Sequence, residues 1–132
     1  AAFTRASVGN VHAIAHTLGG LYGVSHGLAN AVLLPLVLED YGKTAYPRLA
    51  RLAELVGLKG GTEEARANAF IAEIRSMNAR MGIPDHFDCI RDEDIPLMAR
   101  WAAQEANPVY PVPVIYGEAR FARVIAHSRQ SR

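Results

Sequence analysis

A single cysteine, Cys89, stands in 132 residues. One thiol cannot close an internal disulfide or build a thiolate metal cluster, and it fits a reducing compartment. An excess of charge of either sign is lacking too. The net charge is +1, which gives no electrostatic case for nucleic acid or an anionic membrane as a partner. Long apolar runs are missing. The longest, Ala31 to Leu38, is too short to span a bilayer and carries Pro35. No basic head followed by an apolar block opens the chain, so no signal peptide is read. Together these features predict a cytoplasmic protein. The glycines of Gly19 to Gly23 follow no strand, so they do not read as a dinucleotide-binding loop. No serine or cysteine nucleophile with a paired base is found.

What is present is an apolar half and a charged fifth in a chain long enough for one domain with a real core. The apolar spacing is helical throughout. Ala1 to Leu18 reads as a helix that ends in the Gly19–Gly20–Gly23 break. Ser25 is placed to cap a second helix. Leu28 to Tyr41 is apolar almost all round, as expected of a buried central helix, with Pro35 kinking it and Gly42 ending it. Tyr46 to Leu58 forms a third helix, with Leu49, Leu52, Ala53, Leu55 and Val56 as its apolar stripe. Lys59 to Gly61 is a turn. Thr62 caps a fourth helix whose inner face is Phe70, Ile71, Ile74, Met77 and Met81, and Gly82 and Pro84 end it. A loop carries His86 and Cys89. A fifth helix runs from about Asp94 to Ala106, with Leu97, Met98, Trp101 and Ala102 inward. The proline-rich stretch from Asn107 to Tyr116 is extended. A short last helix covers roughly Gly117 to His127. The predicted fold is an all-α bundle of five to six helices.

Three of the five histidines lie between Asn10 and Asn30. His12 and His16 are four apart, so on a helix both rings share one face. An unbroken helix would carry His26 about 21 Å along the axis from His12, at 1.5 Å per residue. A helix, a glycine turn and a second helix would instead bring it back beside the pair. The metalloprotease pattern needs a glutamate directly after the first histidine. Ala13 stands there, so that chemistry is excluded. Spacing alone favours two hydrogen-bonded core histidines, and the turn and His26 shift the balance toward a site. Without a nearby carboxylate, the three histidines are potential ligands only. His86 and His127 read as ordinary surface residues. Cys89 reads as a small packed side chain, and Arg48, Arg51 and Glu54 as a solvated face.

The stretch AFTRASVGNVHAIAHTLGGLYGVSHGLANAVLLPLVL, Ala2 to Leu38, closely resembles the C-terminal region of the iron-containing (group III) alcohol dehydrogenases. The family's motif HAxAHxLGxxYxxxHGxxNAxxLP stands here almost unbroken. All three histidines, the glycine pair, Tyr22, His26–Gly27, Asn30–Ala31 and Leu34–Pro35 fall in register. Later segments match more loosely. The resemblance implies a helical domain like the C-terminal one of the dehydroquinate synthase-like fold. It implies His12 and His26 as ligands of Fe²⁺ or Zn²⁺. It places His16, the catalytic candidate, beside the nicotinamide and substrate without binding the metal. Phe3 falls where the family has an aromatic near the nicotinamide.

In that family an N-terminal α/β domain binds NAD(P). A C-terminal helical domain carries most of the metal site, whose two further ligands, an aspartate and a histidine four residues later, precede the histidine motif by some distance. The 132 residues contain neither. The expectation is a helical metal-binding domain over residues 1–132, matching roughly the last third of such an enzyme. Alone it would bind metal weakly and be inactive toward small alcohols or aldehydes. Two other readings stay open: a non-catalytic helical module that self-associates or docks onto a separate nucleotide-binding domain, and a small histidine metalloprotein.

Overall fold

The computed structural model describes residues 2–58, 60–106 and 117–130, with side chains given from residue 9 and not for residue 106. The turn read at Lys59 and the extended stretch 107–116 lie outside the described residues in whole or part. Among the described residues there are six α-helices, two short 3₁₀ turns and no strand. The helices are α1 (Ala2–Tyr22), α2 (His26–Tyr41), α3 (Tyr46–Leu55), α4 (Glu63–Arg80), α5 (Ile95–Ala106) and α6 (Glu118–His127). The all-α bundle is as expected. None of its helices is long and apolar enough to cross a membrane.

α1 packs on α2 and α5, α3 on α4, and α5 on α6, while α2 also touches α4 and α6. The core is filled by Ile14 and Leu18 of α1, Leu33 and Val37 of α2, Met98 of α5 and Phe121 of α6, all fully buried. α2 is apolar all round because it has neighbours on several sides. Thr62 caps α4 as read, its hydroxyl accepting from the N–H of Ala65 at 3.0 Å.

Several boundaries and faces differ from the sequence reading. α1 runs through Gly19 and Gly20 to Tyr22, four residues beyond the expected end. Each glycine costs a helix about 1 kcal/mol. The packing of Ala15, Leu18, Leu21 and Tyr22 against the core outweighs that cost. α3 stops at Leu55 and the left-handed Gly57 (φ +81°) closes it. Its stripe is only half buried. Leu49 and Ala53 face inward, whereas Leu55 is 76% exposed and Val56 60%. Met77 and Met81 at the end of α4, and Trp101 on α5, are also exposed rather than inward. Spacing selects a helix's apolar stripe but not how far along the axis a neighbour covers it. Cys89 is exposed rather than packed. Partial desolvation raises its thiol pKa, which makes it a poorer source of thiolate.

Pro35 sits inside α2 and is buried. Lacking an N–H, it leaves the carbonyl of Ala31 without its helical partner. The side chain of Asn78 on α4 takes that place, with Nδ2 donating to the Ala31 carbonyl at 2.8 Å. The defect in one helix is thus a fastening point for another, beside the Arg75 to Glu39 ion pair that joins the same two helices. Asn78→Ala is expected to destabilise the fold by about 1 kcal/mol, the typical cost of losing such a bond. In a Pro35→Ala background a backbone N–H is restored, and the same change should cost less by at least about 0.5 kcal/mol. Urea unfolding of the four proteins measures this. Equal costs in both backgrounds would show that Asn78 does not serve the proline defect.

Candidate metal centre

The reversal after α1 is made by Gly23, Val24 and Ser25. Gly23 has φ +68°, a left-handed conformation that favours glycine. Its N–H still reaches the carbonyl of Gly19 at 3.1 Å. Ser25 then caps α2, its hydroxyl accepting from the N–H of Leu28 at 3.4 Å. α2 therefore begins with His26 in its first turn, close to the last turns of α1. Nδ1 of His12 lies 3.3 Å from Nε2 of His26. The two rings meet edge to face with centroids 4.8 Å apart. His12 and His16 sit one helical turn apart with ring centroids at 5.6 Å.

All three histidines are exposed. The core-histidine explanation of the pair therefore does not hold. Nor are they far from a carboxylate. Glu105, near the end of α5, brings both oxygens to His16 Nδ1, at 3.0 and 3.1 Å. Its Oε1 is 3.7 Å from His12 Nε2, too long for a hydrogen bond. Sequence reading missed Glu105 because nothing local marks it. It is 89 residues from His16 and one exposed acid among several.

The register of α5 against α1 has a visible cause. At the far end of α1, the Tyr22 hydroxyl donates to Asp94 at 2.6 Å and accepts from the N–H of Arg91 at 3.2 Å. Burial is the largest influence raising the Tyr22 phenol's pKa, so it stays a donor. The pairings Tyr22–Asp94 and His16–Glu105 run in opposite directions along α1 and the segment formed by α5 and the turn before it. They join α1 to the start and the end of α5 as antiparallel neighbours.

Two chemistries are open to this cluster. One ligand atom each from His12, His16 and Glu105 lie within 4.8 Å of one another. His12 and His26 form a closer pair. Two imidazole nitrogens bound to one tetrahedral ion, each at about 2.1 Å, stand roughly 3.4 Å apart. The 3.3 Å between His12 Nδ1 and His26 Nε2 is a hydrogen bond between the two rings, and it is close enough to that spacing for the same two nitrogens to hold a divalent ion in its place. Phe3 lies in α1, but its side chain is outside the description.

The sequence profile of the Fe-containing alcohol dehydrogenase family, C-terminal, matches residues 1–114. The chain belongs to this family. It is 42% identical over 111 residues to the 1,3-propanediol dehydrogenase of Klebsiella pneumoniae, which covers 80% of this chain. It is 35% identical over 107 residues, 78% of the chain, to the lactaldehyde reductase of Escherichia coli (strain K12). The chain spans 28% of the length of each of these relatives. A crystal structure of a 1,3-propanediol oxidoreductase superposes with a TM-score of 0.82 at 35% identity, covering 90% of this chain and 32% of that one. The bundle is thus the C-terminal helical domain of the iron-containing alcohol dehydrogenase fold.

The remaining histidines lie away from the cluster. His127, at the end of α6, is exposed as expected. His86 is part-buried and held between two carboxylates, with Nδ1 2.7 Å from Asp85 and Nε2 2.9 Å from Asp88. The hydrogen bond to Asp85 is the main influence raising its pKa above 6.5. Desolvation opposes it and Asp88 adds to it. The linkage sign follows from the raised folded value. Any stability the ring contributes is complete below the unfolded imidazole's pKa and is lost as pH rises through the folded one. An NMR titration should place His86 above 6.5, and Asp85→Asn should lower it. A value at or below 6.5 in the unsubstituted chain would contradict the ion pairing.

Proposed function

We propose that this chain is the helical, metal-side domain of an NAD(P)-linked oxidoreductase that interconverts a small alcohol and its aldehyde or ketone. The observation that carries the reading is the His12–His26 pair at 3.3 Å, set at the meeting of α1 and α2 in a family of metal-dependent alcohol dehydrogenases. 1,3-Propanediol and lactaldehyde, named for the relatives, mark the size and polarity of the substrate class. When bound, a divalent ion supplies Lewis-acid polarisation of the substrate oxygen, and the nicotinamide gives or takes the hydride.

The chain's own residues have distinct tasks in this reading. His12 and His26 offer neutral nitrogens, which suit Fe²⁺ or Zn²⁺. Both are exposed, so an ion has access from the face of α1 that bears the histidines. His16, hydrogen-bonded to Glu105 and facing solvent, stands beside the reacting groups. It can take up or return the alcohol's hydroxyl proton. Phe3 is proposed to border the nicotinamide.

Residues 1–132 act here as one helical domain. The nucleotide-binding unit and two further ligands come from outside these residues. Two protein ligands of four make for weak metal binding. Titration with Zn²⁺ or Fe²⁺ should show His12→Ala and His26→Ala each weakening binding by more than about tenfold. Removing only a ligand's hydrogen-bond partner typically costs about 10- to 100-fold, so losing the ligand itself should cost no less. His16→Ala should leave binding nearly unchanged. Equal losses for all three would refute the ligand assignment. The 132-residue chain assayed alone should show no NAD⁺- or NADP⁺-linked alcohol oxidation, and clear turnover would refute its dependence on a separate nucleotide unit.

A further inference from the structure

The Glu105–His16 contact has no part in the family motif, which ends well before α5. An ionised carboxylate only accepts hydrogen bonds. Both Glu105 oxygens stand 3.0 to 3.1 Å from the same ring atom, Nδ1 of His16. In the neutral ring that atom must therefore carry the proton, which leaves the lone pair on Nε2. The next imidazole is too far to compete, with His12 Nε2 at 3.7 Å from Oε1. Glu105 has a fixed backbone position, because α5 is tied to α1 at its other end through Tyr22 and Asp94.

We infer that Glu105 is a positioning residue for His16: it holds the imidazole in the Nδ1–H form and presents Nε2 to whatever binds over the histidine face. The inference rests on the reading that His16 stands beside the reacting groups. For an alcohol as substrate, Nε2 is then the nitrogen that accepts the hydroxyl proton as the carbinol hydride passes to the oxidised nicotinamide, leaving the carbonyl. For a carbonyl, the same nitrogen returns a proton. The alternative form, protonated at Nε2, would turn a donor toward the alcohol's own O–H and leave that proton without an acceptor. Glu105 touches neither substrate nor cofactor and acts only through the ring. Its place on α5 means that the third helix in the site, not only the α1–α2 hairpin, sets the chemistry.

The test is the ring-nitrogen NMR spectrum of the metal-free chain at about pH 9, well above the imidazole range. His16 should show a protonated Nδ1 and an unprotonated Nε2. Glu105→Ala should lower the ratio of Nδ1–H to Nε2–H forms at least about tenfold, as expected for loss of a hydrogen bond to a charged group. Because Glu105 is exposed, the variant should keep its helical circular dichroism. A His16 protonated at Nε2 in the unsubstituted chain, or a ratio unchanged in Glu105→Ala, would overturn the inference. So would loss of Zn²⁺ binding in Glu105→Ala as large as that in His12→Ala, because Glu105 would then be a ligand. The tautomer measurement needs neither metal nor nicotinamide. If His12→Ala and His26→Ala left Zn²⁺ binding intact, the metal reading would fail while the tautomer result stood.

Discussion

His12 and His26 are 14 residues apart in the chain and 3.3 Å apart in space. The residues between α1 and α2 that achieve this are Gly23, Val24 and Ser25. Gly23 takes the left-handed conformation, and the Ser25 cap starts the next helix without delay. One residue more or less in this turn would rotate His26 by about 100° around α2, since each residue of a helix turns by that angle. The apolar length of both helices keeps the hairpin in place. Ile14 and Leu18 on one side, and Leu33 and Val37 on the other, are fully buried.

The second constraint comes from α5. Its packing on α1 is fixed at one end by the Tyr22 hydroxyl, which joins Asp94 and the backbone of Arg91. The other end delivers Glu105 to His16. The histidine face of α1 is therefore divided. His12 is turned toward His26 and the start of α2. His16 is turned toward a carboxylate from a different helix. Two imidazoles one turn apart on the same helix thus have different nearest partners, with Glu105 hydrogen-bonded to His16 and 3.7 Å from His12. The rest of the bundle supports this face from behind. Asn78 satisfies the carbonyl that Pro35 frees in α2, and Arg120 grips Asp40 near the end of the same helix at 2.6 Å.

Much of this was legible in the residues. The helical spacing, the caps at Ser25 and Thr62 and the stop at Gly42 are local, and local rules place them. The return of His26 to His12 could be anticipated because glycines stood between them. Which glycine turns the chain could not. Gly19 and Gly20 stay helical because tertiary packing outweighs their propensity, a term invisible to a pattern search. Inner faces were harder still. Leu55, Val56, Met77, Met81 and Trp101 all fit an apolar spacing, yet among the described residues they are exposed. Glu105 and Asn78 were out of reach. Their partners are 89 and 47 residues away, and neither the pairing nor its purpose leaves a trace in sequence spacing.

The central claim is that the α1–α2 hairpin offers one ion two imidazoles, from His12 and His26, and keeps His16 out of its coordination. X-ray absorption spectroscopy of the Zn²⁺-loaded chain tests this most directly. The account predicts two imidazole ligands at about 2.0 to 2.1 Å with oxygen from water completing the sphere. Three imidazoles on the metal, or none, would contradict it.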